Sequence, residues 1–236
     1  MYTKLNLNLA FQLFSLFVAI FAGSLTLAQT SVSSCGPLFS TGQYGPYDYR
    51  TDVDKLPIVL VNHFTPEVEA LIRGKSGPRP GEDIDYTLRA IPNNHRALLA
   101  MMRLGEKEKT PQPSGSRYSV ECWFERAILF RPDDSIVRMI YSTYLNSKGR
   151  LLDANAQLEL ATNYARDSAF THYNIGLHYF DLKNYDKALL QAHKAMALGW
   201  TQSELRGLLM SVQAWREPLG TSTSPAGENA ATDQPR

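Results

Sequence analysis

The sequence has little of what usually announces chemistry. It holds two cysteines and five histidines in 236 residues, and no nucleophile elbow, phosphate loop, dinucleotide fingerprint or zinc-type spacing. The histidines are His63, His95, His172, His178 and His193. His172 and His178 fall on different faces of a helix, and neither has a carboxylate at helical ligand spacing. Asp181 and Asp186 flank a helix turn and read as hairpin or cap residues. No catalytic, metal or cofactor set is expected, and the chain is not expected to be an enzyme. Charge of one sign is missing too. The balance of 24 Lys and Arg against 23 Asp and Glu gives no electrostatic case for nucleic acid or an anionic membrane. Beyond residue 28 no apolar run approaches the length that spans a bilayer.

What is present begins with an export signal. Lys4, the nearly unbroken apolar stretch 9–22, the small residues Gly23 and Ser24, and Thr26-Leu27-Ala28 predict a secretory signal peptide over 1–28, cleaved after Ala28. The expected location is periplasmic or secreted. An uncleaved N-terminal anchor is the alternative, and Val32-Ser33-Ser34-Cys35 loosely resembles a lipidation box. Membrane contact is therefore expected only if the N-terminus is retained or lipidated. In an exported chain the even pair Cys35 and Cys122 suggests one disulfide rather than metal ligation, stabilising by roughly 4–5 kcal/mol in the chain-entropy model. A buried Cys122 thiol with Cys35 unbridged or lipidated is the other reading.

Residues 29–81 read as an irregular aromatic arm with short helices. The stretch CGPLFSTGQYGPYDYR is too aromatic for a flexible linker, and Tyr44, Tyr47 and Tyr49 need cover. Residues 54–61 are rich in β-branched side chains, which favours a strand, but a lone strand has no partner and a short helix is preferred. Thr65-Pro66-Glu67 supplies an N-cap, a first-turn proline and an acid, predicting a helix that runs to Arg73 and stops at Gly74. Residues 77–81 then read as a turn or linker.

From residue 82 the pattern becomes helical. Residues 83–91 predict one helix. Residues 95–108 predict another, with Ala97, Leu98, Met101 and Leu104 at three- and four-residue spacing. A loop at 110–115 separates it from a helix over 118–130. Residues 135–168 and 169–202 then repeat each other at a period of 34, with Ala154 meeting Ala188, Ala161 meeting Ala195, and Ala127 one period before Ala161. Such a period is the mark of a helical repeat array. Residues 203–216 predict a polar-backed cap helix, and residues 217–236 are expected to be disordered.

The stretch YNIGLHYFDLKNYDKALLQAHKA, with Gly176, Tyr179, Tyr185, Ala188 and Ala195 in place, closely resembles the tetratricopeptide repeat. The match at 135–168 is looser: Ser142 replaces the glycine, Arg138 stands where a bulky aromatic is usual, and Arg166 replaces the terminal proline. The resemblance implies an all-α, right-handed superhelical stack of antiparallel helix hairpins over 82–216, with 82–134 as an irregular leading repeat. In it Ala127, Ala154, Ala161, Gly176, Tyr179, Ala188 and Ala195 would carry the packing.

The resemblance further implies a concave groove lined by the first helix of each pair. On matching positions this face comprises Ile136, Met139, Thr143 and Asn146, then Tyr173, Leu177, Phe180 and Asp181, with Met101 and Leu104 continuing it upstream. Such a surface suits an apolar or aromatic segment of another protein. The expected role is a non-catalytic adaptor or assembly factor of a bacterial-type envelope. The alternatives are a small metal-binding protein or enzyme using the histidines, or a membrane-tethered structural protein. Residues 42–50 of the arm, pinned by Cys35 and Cys122, would either fill this groove or lie outside it.

Overall fold

Residues 35–218, the part this computed structural model describes, are all-helical, with no strand among them. The signal peptide expected at 1–28 and nearly all of the tail expected at 217–236 lie outside the described residues. The elements are α1 (Leu56–His63), α2 (Pro66–Glu69), α3 (Pro80–Ala90), α4 (His95–Glu108), α5 (Val120–Phe130), α6 (Ser135–Ser147), α7 (Leu151–Ala165), α8 (Ala169–Asp181), α9 (Tyr185–Ala197) and α10 (Glu204–Ser211). No helix among the described residues is long and apolar enough to cross a membrane.

Helix starts follow from short polar side chains. Asn94, Ser119, Asp134, Ser168 and Asn184 each accept a hydrogen bond from a backbone N–H of the first turn they precede, satisfying donors that the helix leaves open. Helices α6 and α7 form one hairpin and α8 and α9 a second, each packed along its length. The two inner turns are built alike. Gly149 and Lys183 both take left-handed backbone angles, φ 73° and 59°. Just after each, Arg150 N donates to Leu145 O and Asn184 N to Tyr179 O, both at 2.9 Å. The chain thus repeats a backbone motif even where the side chain changes from glycine to lysine.

Two cores result. The first gathers Phe64 and Val68 with apolar residues of α3 to α6, including Leu98, Met101, Trp123 and Phe124. The second lies among α6 to α10 and includes Leu158, Ile175, Tyr179, Leu205 and Leu209. Ile136 and Leu182 border both. Ala127 and Ala154 are buried in the first, and Ala161, Ala188 and Ala195 in the second. A Cβ on Gly176 would stand 2.4 Å from Leu205 Cδ2 and 3.3 Å from Gln191 Cβ, so the bare backbone there admits α10 as well as α9. Arg138 is buried with its guanidinium donating to Pro132 O and Gln157 Oε1 while lying over Tyr164.

Several boundaries differ from expectation. The helix predicted from Thr65 to Arg73 ends at Glu69, because Leu71 turns left-handed at φ 58° and Ile72 N donates back to Glu67 O. The expected linker at 77–81 instead starts a helix, with Pro80 in its first turn, where a proline's missing N–H costs nothing. Helix α10 spans only Glu204–Ser211, after which Trp215 folds back against His193 and Arg206.

The arm is fastened at both ends. Cys35 is bridged to Cys122 of α5. Beside the bridge, Arg126 is 3 % exposed and donates to the carbonyls of Cys35, Gly36, Pro37 and Leu38 while lying over the Tyr118 and Trp123 rings. Further along, Tyr44, Tyr47 and Tyr49 pack with Leu56, Val59, Ala90 and Ile91, and Tyr47 N donates to Ala90 O at 2.9 Å.

Two substitutions test this packing by thermal or urea unfolding. Ala188→Leu should overpack the α8–α9 junction and destabilise by about 1–3 kcal/mol. Lys183→Gly should relieve the left-handed strain and stabilise by about 0.5–1 kcal/mol, since an L-residue there costs roughly 1–2 kcal/mol and glycine's extra chain entropy returns part of it.

Candidate functional site

The face shared by α6 and α8 is fixed by their caps. Asp134 and Ser168 begin the two helices at equivalent points, and the helices lie against each other. On this face Thr143 and Asp181 are exposed, and Ile136, Asn146, Leu177 and Phe180 are half-buried. Met139 and Tyr173, expected to line the groove, are 4 % and 5 % exposed and belong to the second core. Tyr173 is covered by Trp200, ring centroids 4.9 Å apart, and its hydroxyl donates to Glu204.

Met101 and Leu104 do not continue the groove. They are 0 % and 3 % exposed, inside the first core. The reason is register: α4 begins directly after its cap Asn94 as α6 does after Asp134. Arg96 therefore stands where Ile136 does, Leu99 where Met139 does, Arg103 where Thr143 does and Glu106 where Asn146 does. The long loop before α5 obscures that register in the sequence. On α4 this face is charged and partly covered, since Arg96 pairs with Glu69 of α2 and lies over the Phe64 ring.

Two residues missed in the sequence complete the face. Phe170, 55 % exposed, stands one period after Ile136, so the repeat alone marks its position. Trp200 packs on both Phe170 and Tyr173, and its buried Nε1 has no acceptor; nothing in the sequence pattern distinguished it. Beneath the face, His178 Nδ1 lies 3.2 Å from Thr143 Oγ1. Burial pushes its pKa down against the pull of Asp181, so the imidazole is neutral at pH 7 and the strip from Phe170 to Phe180 stays apolar. Residues 42–50 do not lie on this strip; they pack on α1, α3 and the turns before α4 and α6.

The histidines are engaged elsewhere. His63 Nδ1 meets both Asp83 Oδ1 and Ser76 Oγ. A serine–histidine–aspartate relay needs the two partners on opposite nitrogens, so this cluster is a loop anchor, in which Asp83 also accepts from Lys75 and Ser76 N. His172 has both nitrogens occupied, by Gln191 Oε1 and Arg166 O, each at 2.7 Å. His193 Nε2 meets Arg216 O.

A charged knot ties the arm to the repeats. Asp134 accepts from Ile136 and Val137 N, meets His95 Nε2 and receives Asn93 Nδ2 and the Arg50 guanidinium. Asp48 receives Arg50 and Asn93, and Arg131 Nε lies 2.8 Å away without hydrogen-bond alignment. Burial works against both negative charges. At Asp48, hydrogen bonds from Arg50 and Asn93 overcome it; at Asp134, the bonds and charge of His95 do so, helped by Asn93 and Arg50. Both carboxyls are held below the usual carboxylate range.

No protein-family model, curated protein or solved structure matches this chain. The site rests on its own geometry.

A carboxyl whose folded pKa is depressed contributes stability that is present above its unfolded pKa, about 4 for aspartate, and is lost as pH falls through the folded value. Urea midpoints should therefore hold between pH 7 and about pH 5 and drop below about pH 4. Asp48→Asn should lower the neutral-pH midpoint and flatten that acid slope.

Proposed function

We propose that this chain is an exported, non-catalytic interaction module of the tetratricopeptide type, which binds an apolar or aromatic segment of a partner protein along α6 and α8. The observation that carries this reading is the strip of Ile136, Phe170, Leu177 and Phe180, half-buried or exposed and left uncovered by the chain's own aromatic arm. Thr143, Asn146 and Asp181 beside it offer hydrogen bonds to an extended backbone.

The tetratricopeptide reading, a right-handed superhelical stack, draws support from equivalences one period apart: the left-handed Gly149 and Lys183, and the turn hydrogen bonds from Arg150 and Asn184. Export through a cleaved signal draws support from the Cys35–Cys122 disulfide, a bond that persists in oxidising compartments. The groove is short. Charged residues of α4 paired with α2 bound one end, and Trp200 with α10 bounds the other.

The test uses the full chain and a panel of short peptides of equal length, one set apolar-aromatic and one set acidic or basic. The apolar set should bind in preference. Phe170→Ser with Phe180→Ser should weaken binding about tenfold or more while leaving the helical circular dichroism unchanged. Equal binding of all peptide sets, or binding that survives the double substitution, would sink the proposal.

A further inference from the structure

Helix α1 is apolar on every side. Its sequence is LPIVLVNH, and a helix of that kind is ordinarily covered all round. Here Leu56 and Val59 are buried against the arm and α3, while Ile58 and Val61 are 58 % and 68 % exposed. Beside them lies a cavity of about 240 Å³, walled by Tyr44, Ile58, Val59, Asn62, His63 and Tyr86.

His63 is held in that wall from two directions. Its ring stacks on Tyr86, with centroids 3.8 Å apart, and its Nδ1 lies 3.0 Å from Asp83 Oδ1. The Asp83 side chain has no exposed surface, and it also accepts from Lys75 N and Ser76 N. Burial works against its charge, but the hydrogen bonds from Ser76, His63 and Lys75 overcome it and hold the carboxyl below the usual carboxylate range. An ionised carboxylate can only accept. Nδ1 therefore carries the proton of the neutral imidazole, and Nε2 keeps a lone pair. That nitrogen has no partner among the described residues. One face of the ring is on Tyr86 and the Nδ1 edge is on Asp83, so the edge left to line the cavity bears Nε2.

We propose that this cavity is an anchor pocket for one tyrosine or tryptophan side chain of a partner protein, whose O–H or N–H donates to His63 Nε2. Its volume lies below the roughly 300–1,000 Å³ of pockets for drug-sized ligands, which suits a single ring. The polar groups at its wall call for a donor. Besides His63 Nε2, Asn62 spends an amide N–H on Ile58 O and keeps its carbonyl oxygen as a second acceptor. The charged side chains nearby are paired, Asp54 with Lys55 and Asp85 with Arg89, so nothing there draws an ionic ligand. Exposed Ile58 and Val61 give the residues flanking the anchor an apolar surface to lie on. Aromatic anchors with a polar tip, seated in a pocket, carry much of the energy of such contacts. A phenylalanine ring would fill the space but leave Nε2 unpaired, and that cost sets the selectivity. The pocket is separate from the α6–α8 strip and does not rest on it.

The test uses the full chain at pH 8, with the imidazole nitrogens followed by long-range proton–nitrogen NMR. The free protein should show His63 with Nδ1 protonated and Nε2 bare. N-acetyltyrosine amide should shift the Nε2 resonance on titration, and N-acetylphenylalanine amide should bind about tenfold more weakly. Ile58→Lys, at an exposed position on the pocket wall, should abolish the tyrosine response with the helical circular dichroism unchanged. Phe170→Ser with Phe180→Ser, on the other face, should leave that response intact. An Nε2-protonated ring in the free protein would overturn the proposal. So would the absence of a shift at Nε2, equal binding of the two amides, or tyrosine binding that survives Ile58→Lys.

Discussion

The fold depends on one buried carboxylate. Asp134, 1 % exposed, caps α6, meets His95 at the start of α4, and is reached by Asn93 from the α3–α4 turn and by Arg50 from the arm. An ion at that depth is tolerated only with several hydrogen bonds and opposite charge around it. Those partners must therefore arrive from three other parts of the chain before α6 can sit where it does. The position of the α6–α8 face follows from this, since α6 is set by its cap against α4 and α8 is laid against α6.

This coupling explains what the sequence showed and what it hid. The 34-residue period exposes local constraints, above all the small residues where backbones approach. Each is decided within a few residues, so each is legible, and the expectation of an all-helical chain with a Cys35–Cys122 bridge agrees with the structure. The placement of Met101 and Leu104 failed because it needed the register of α4, and that register is set by Asn94 and hidden by a lengthened loop. The end of α2 was misplaced for a related reason. Nothing local forbids Leu71 from continuing a helix; the turn there is held by the fold, with Lys107 of α4 donating to Leu71 O. Long-range contacts, not propensity, decided both.

The groove is bounded in the same manner. Two first helices side by side at about 8–10 Å between axes present a face on the order of 20 Å, the length of about six extended residues. The arm's aromatics could have masked that face, but their cover comes from α1 and α3, and Arg126 together with the Asp134 knot directs the arm there. The surface of α4 beside this face is charged, with Arg103 and Glu106 both exposed.

The disulfide and Arg126 fasten the same end of the arm by different means. A bridge spanning 87 residues of sequence acts mainly on the unfolded chain, whose freedom it reduces. Arg126 acts on the native state, since its bonds to four carbonyls of the arm exist only while the arm is docked. Opening the bridge therefore lowers stability against unfolding and leaves the docked arrangement with its own hydrogen bonds intact.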